Sequence, residues 1–288
     1  MKGRIHVKLF NAKRFNIATV LAAFILSIFM YPRPILFLAR VIEDLCVAIK
    51  LSNYNSNLET SELLDEDRVQ IVFMFDGGWK SVYSGAYPIF KKYGYRGSVS
   101  IIPSLVNDEA HLSYSQISKL YMNGWSILNQ SYSYEISTDS YKMFNEFQRG
   151  KDWMEKRFLT KGNKMAVIPY GCNNPHLIKL LIDAGYDNVR TQDNVIILDA
   201  AKLKNTVYYP ISIIGLLPDW EFSEVKAYLS EAWREKRPIA FVLNKIGKKH
   251  DRYGTTYTSD QLEELLEYIH ANEDKFQVIA YSDMFAPQ

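Results

Sequence analysis

Hydrophobic and polar positions change their period repeatedly along this chain. From Val69 to Phe75 an almost unbroken apolar run reads as a buried strand. It ends in Asp76-Gly77-Gly78-Trp79. Such an ending delivers a carboxylate to the carboxyl end of a strand, and the glycines let the chain turn at once. Read without function, the same stretch is an ordinary strand with an Asp-Gly turn.

Beyond it, patterns of helix and strand alternate. A helix around Ala86–Lys92 closes at Gly94 and leads to strand Gly97–Ile102. Ser115 is expected to cap Gln116–Asn123, which ends at Gly124 before strand Trp125–Leu128. Helix Tyr141–Phe158, strand Met165–Ile168 and helix Pro175–Ala184 follow. Short strands are expected at Asn188–Arg190, Val195–Leu198 and Tyr209–Ile214. The chain finishes with helix Phe222–Lys236, strand Ile239–Asn244, helix Ser259–Asn272 and strand Phe276–Ala280. This order predicts an α/β protein with a mostly parallel sheet and helices outside. A barrel and an open doubly wound sheet both fit. Neither a G-x-G-x-x-G nor a P-loop is present, so nucleotide binding has no support.

The front end has a different pattern. Residues 1–16 hold Lys2, Arg4, Lys8, Lys13 and Arg14 without an acid. An uncharged run follows from Ile17 to Tyr31, then Pro32-Arg33-Pro34 and the apolar Ile35–Ala39. The uncharged run is short of the ~20 residues a spanning helix wants. Snorkelling of Arg33 extends it to Ala39. Residues 17–39 are therefore read as a signal anchor, because bulky Phe29, Met30 and Tyr31 stand where a cleavage site has small residues. A cleaved signal peptide and a buried helix are the competing readings. The basic head then stays cytoplasmic and the rest faces outside. Residues 40–67 read as an amphipathic juxtamembrane helix, with Ile42, Leu45 and Ile49 on one face, followed by a polar linker from Asn53 to Asp67. Residues 68–288 form the main domain.

Net charge changes the picture little. The chain carries +2 overall, so with five bases in the head the body is mildly acidic. That argues against nucleic acid as a partner. Two cysteines, Cys46 and Cys172, are too few for a disulfide framework, and no structural bridge is expected.

Four segments carry a resemblance. Phe75–Tyr83 with Tyr87–Tyr95, Leu112–Leu120 with Gly124–Ile127, Pro169-Tyr170-Gly171 with Ala184-Gly185-Tyr186, and Phe241–Asn244 resemble the motifs of the NodB-type polysaccharide deacetylases. These are carbohydrate esterases that remove acetyl groups from glycans. The resemblance covers residues 69–288 and implies a distorted (β/α) barrel with its site at the carboxyl ends of the strands. It also implies a divalent ion, commonly zinc, held by two His and one Asp, with a second Asp as base, a His as acid and an Arg orienting the base.

This sequence departs from that pattern. Asp76 matches the base, but Gly77 stands where the metal-binding Asp would be. Gln130 and Tyr134 replace the two His, Val167 the Arg, and Asn244 the acid His. Gly offers no ligand, and neither Gln nor Tyr is a good one. The expectation is therefore a metal-free cleft in which Asp76, Gln130, Tyr134, Tyr170 and Asn244 grip a glycan, with Trp79 or Trp125 supplying an aromatic wall. A relocated metal site built from His111, His176 and His250 is the alternative that would restore zinc or another divalent ion. His6 and His270 are set aside by position. Asp219-Trp220 is a looser match to a further motif of the family.

These readings converge on a membrane-anchored, extracytoplasmic protein of the cell envelope that binds glycan without hydrolysing it. Two alternatives stand beside it. One is an active deacetylase with an atypical site, with Asp76 as base. The other is a structural partner of an envelope polysaccharide assembly.

Overall fold

The computed structural model describes residues 32–56, 64–171, 174–191, 196–198, 208–209 and 212–285. The basic head, residues 17–31 of the expected anchor and Cys172 lie outside them. The chain divides into two units, Met1–Cys46 and Val47–Gln288.

Helix α1 is longer than the pattern suggested, Pro32–Ser56. Pro32 suits a helix start, because proline lacks the N–H that a first turn leaves unpaired. The expected linker thus begins as helix. No helix among the described residues is long and apolar enough to cross a membrane. Phe37, Val41, Ile42, Leu45 and Ile49 are exposed, and Cys46 is an exposed free thiol. Within the second unit, the end of this helix belongs to the domain core. Leu51 is fully buried, Tyr54 meets Tyr121 edge-on, and Asn55 donates to the Phe158 carbonyl at 2.7 Å.

The domain is built on β1 (Val69–Phe75), β2 (Ser98–Ile101), β3 (Ser126–Asn129), β4 (Met165–Val167) and β5 (Asn188–Arg190). Next come β6 (Ile196–Leu198), β7 (Tyr208–Tyr209), β8 (Ser212–Gly215) and β9 (Ile239–Leu243). Short β10 (Lys245–Gly247) and β11 (Thr256–Thr258) pair with each other, a parallel ribbon the pattern did not predict, and β12 (Phe276–Ile279) ends the fold. The main sheet runs β7-β6-β5-β4-β3-β2-β1-β9-β8, with β12 also on β1. Its central pairs are parallel, and β6 is antiparallel to both neighbours. It is a curled parallel sheet, a half-barrel with helices outside.

Those helices are α2 (Tyr87–Lys92), α3 (Tyr114–Met122), α4 (Ser140–Glu155), α5 (Pro175–Asp183), α6 (Phe222–Glu235) and α7 (Ser259–His270). The start of α3 needs a correction. Ser113, not Ser115, is its N-cap, in a reciprocal capping box with Gln116. Gln116 sits three residues after Ser113, and only that spacing lets both side chains reach back.

Alternation along β1 sorts the core. Ile71, Phe73 and Phe75 pack with Phe90, Trp125 and Phe241 in the larger apolar cluster. Val72 and Met74 join Leu128, Met165, Val167, Ala240 and Tyr281 in the smaller one. The second set has the parity of the inner face of the curl. Continuing that parity beyond the apolar layer leads to Asp76, Gln130 and Asn244. Along β1 from Val72 and along β9 from Ala240 this face is apolar up to the carboxyl end, where it becomes polar. Trp125 belongs to the larger cluster at 1% exposure, so the aromatic wall expected of it is corrected to plain core.

Candidate active site

The polar layer is held together from within. Asp76 is placed by its own amide, which donates to the Leu243 carbonyl at 2.8 Å. The register Phe75 with Leu243 brings Asn244 alongside it at the strand ends. Ser100 donates to Asp76 Oδ1 at 3.0 Å and lies 3.1 Å from Gln130 Oε1. Gln130, 2% exposed, also accepts the Gly77 amide at 2.8 Å. Its carbonyl is therefore spent inside the protein and braces the Gly77 turn.

A cation stands where none was expected. Arg190 Nη2 donates to Asp76 Oδ2 in a buried ion pair. Asp76 is expected to lack both a neighbouring cation and an orienting Arg, and Arg190 corrects that expectation. Val167, at the position of the missing Arg, is the register partner of Arg190 on the next strand. The guanidinium is one strand over and reaches the same carboxylate. The signal was present in the sequence as a charged residue ending a buried strand, Asn188-Val189-Arg190. Beneath the pair, the Tyr281 hydroxyl donates to Asn188 Oδ1. Arg190 Nε and Asn188 Nδ2 are buried with no partner among the described residues.

Tyr134 and Tyr170 form the rim, their rings 5.3 Å apart. Both have left-handed backbones, with φ of 60° and 54°, as does Ser131 at 66°. Such conformations cost side-chain-bearing residues energy and concentrate at sites where geometry matters. Burial raises the Tyr134 pKa, and nearby Tyr170 and Asp76 add to that. Tyr134 is thus a neutral hydroxyl. Tyr170 is 58% exposed and offers a free ring.

Trp79 lies on the other side. Its backbone bridges to His111, and its ring stacks on the imidazole at 4.5 Å. Lys245 Nζ sits 4.2 Å from the ring centroid. His111 Nδ1 also meets Asp108 Oδ1 at 3.0 Å. His176 is on the first turn of α5, edge-on to Tyr141, and His250 faces the Thr256 carbonyl at 3.1 Å. Trp220 stacks on Tyr228 at 5.4 Å.

Residues 65–189 match the sequence profile of the polysaccharide deacetylase family. The chain carries a polysaccharide deacetylase domain. It is 30% identical over 73 residues to YxkH of Bacillus subtilis (strain 168), provisionally named a polysaccharide deacetylase. That match covers 24% of this chain and spans only 26% of the relative's length. The domain also superposes on the peptidoglycan deacetylase PdaC from Bacillus subtilis with a TM-score of 0.50. Identity there is 14%, over 77% of this chain and 92% of the other, so the likeness is one of fold.

The deacetylase domain can be tested for the divalent ion its fold implies. Gly77 has φ +90°, and a Cβ placed on it would come within 2.7 Å of Trp79 Nε1. The space where a side chain at 77 would begin is filled by an indole. Gln130 is engaged by Ser100 and Gly77, and Tyr134 is a protonated phenol. Among the described residues no three His, Cys, Asp or Glu gather to hold a metal, and His111, His176 and His250 each have separate surroundings. The residues present do not fit the ion.

Proposed function

We propose that this chain binds acetylated glycan through its deacetylase domain without metal-dependent hydrolysis. The observation that carries the reading is Gly77 with the Trp79 indole packed against it. Without a bound metal ion nothing lowers the pKa of a water from about 15.7 toward 7. Asn244, at the acid position, cannot give a proton to a leaving amine. What the site offers is a placed carboxylate, amide and phenol groups and exposed Tyr170, which suit hydroxyls and sugar faces. Asp76 aligned by Arg190 is the one feature that favours a working deacetylase instead.

Calorimetric titration of the chain with acetylated chitin- and peptidoglycan-type oligosaccharides tests the reading. Saturable binding by the native chain, weakened in Tyr170→Ala, is the expected result. Absence of binding to every glycan would leave a scaffold role in an envelope polysaccharide assembly.

The same proposal places the domain outside the cell, held by residues 17–39. It rests on the basic head, the uncharged run and the exposed apolar residues of α1. A reporter fused after Gln288 should be active only outside the cytoplasm, and cytoplasmic activity would refute the topology.

A further inference from the structure

The Trp79 indole fills the space beside Gly77, but its N–H has no role yet in glycan binding. Its Nε1 stands within 2.7 Å of a Cβ built on Gly77, one residue from Asp76, and its N–H donates to nothing among the described residues. An indole N–H is a donor only, so an acceptor must be supplied from outside.

The ring is held in place. Residues 78–80 pair with 110–112 through the Gly78 carbonyl to Leu112 and the Lys80 amide to the Ala110 carbonyl. The imidazole of His111 stacks at 23° between planes, and Lys245 lies over the ring at 4.2 Å. A cation on the face of an aromatic ring draws electron density toward itself and sharpens the N–H as a donor. The donor is therefore fixed before any ligand arrives, which lowers the ordering cost of binding.

We propose that the Trp79 indole N–H receives the acetyl carbonyl of the glycan, so that the site recognises N-acetylated sugars with a neutral donor in place of a metal ion. This rests on the glycan-binding reading and names the group that the site selects. A carbonyl oxygen satisfies the free donor. The protonated amine of a deacetylated sugar has only donors to offer and meets Trp79 N–H to N–H. A site that hydrogen-bonds one group discriminates strongly against an analogue that lacks it.

The full chain would be titrated with a fully acetylated chitin-type tetrasaccharide and its fully deacetylated counterpart, beside Trp79→Phe. Phenylalanine keeps an aromatic face toward His111 and Lys245 and removes the N–H together with the second ring of the indole. The acetylated form should bind the native chain roughly tenfold tighter than the deacetylated one, and Trp79→Phe should abolish that preference. As a second readout, the Trp79 indole ¹⁵N–H resonance, assigned by its absence in the variant, should shift with the acetylated sugar and not with the amine. That readout needs no variant to bind. A preference retained in Trp79→Phe, an unmoved indole resonance, or equal affinity for the two sugars would each overturn the assignment and leave glycan binding standing. Failure of both sugars to bind would overturn both.

Discussion

Asp76 and Arg190 constrain each other through burial, with side chains 17% and 6% exposed. Removing Arg190 leaves the largely buried Asp76 charge with only Ser100 and limited water to satisfy it, and breaking such a pair costs roughly 3–5 kcal/mol. Arg190→Met should lower the unfolding free energy in urea by about that amount. Asp76→Asn with Arg190→Met should recover much of it. If the single variant is as stable as the native chain, the pair is not buried as described. Gly77 is constrained in another way. Gly77→Ala has to place a Cβ at φ +90° against Trp79 Nε1, and such backbone strain costs about 1–3 kcal/mol. Adding Trp79→Ala should recover the steric part and leave the backbone part, a coupling that a double-mutant cycle measures.

Among the elements, strands such as Val69–Phe75, closed by Asp76-Gly77, and Met165–Val167, closed shortly after by Pro169, were legible as short apolar runs with a sharp end. Val69–Phe75 and Asn188–Arg190 match the structure residue for residue. Helix starts were less legible. Several Ser residues crowd the start of α3, and only the reciprocal bonds of Ser113 and Gln116 pick out the cap. Ser113→Ala should cost about 1 kcal/mol, and Ser115→Ala much less. A thermal melt of each variant checks the assignment. The β10–β11 ribbon was missed because Lys245-Ile246-Gly247 and Thr256-Tyr257-Thr258 are too short to show a period. Asn53–Ser56, expected to begin the linker, continue α1, and Leu51 in the expected helix just before them is fully buried. Leu51→Ala should therefore destabilise by about 2–5 kcal/mol, the range for emptying a core site. An unchanged melting temperature would show that the end of α1 does not contribute to the core. Of the site, Asp76 was visible as a match to the resembled motif, and Gln130, Tyr134 and Asn244 as departures from it. Arg190 was not, because it reaches Asp76 from a different strand and register is a three-dimensional fact.

At the scale of the whole molecule, buried phenols set one limit of stability. Burial raises the pKa of Tyr186 and Tyr281 well above the ordinary 10.0. Unfolding exposes both hydroxyls and lets them ionise, so their contribution is complete below pH about 10 and is lost as pH rises beyond it. Stability followed by urea unfolding should be flat in this respect from neutrality to about pH 10 and then fall. A fall that starts near neutrality would point to other groups. On the proposed function, this deacetylase domain holds glycan with its own donors and acceptors and releases nothing from it. Acetate release is the direct measurement, with the native chain, a fully acetylated oligosaccharide and added zinc, beside Asp76→Asn. Neither protein should release acetate above background, and acetate from the native chain but not from Asp76→Asn would refute glycan binding without hydrolysis.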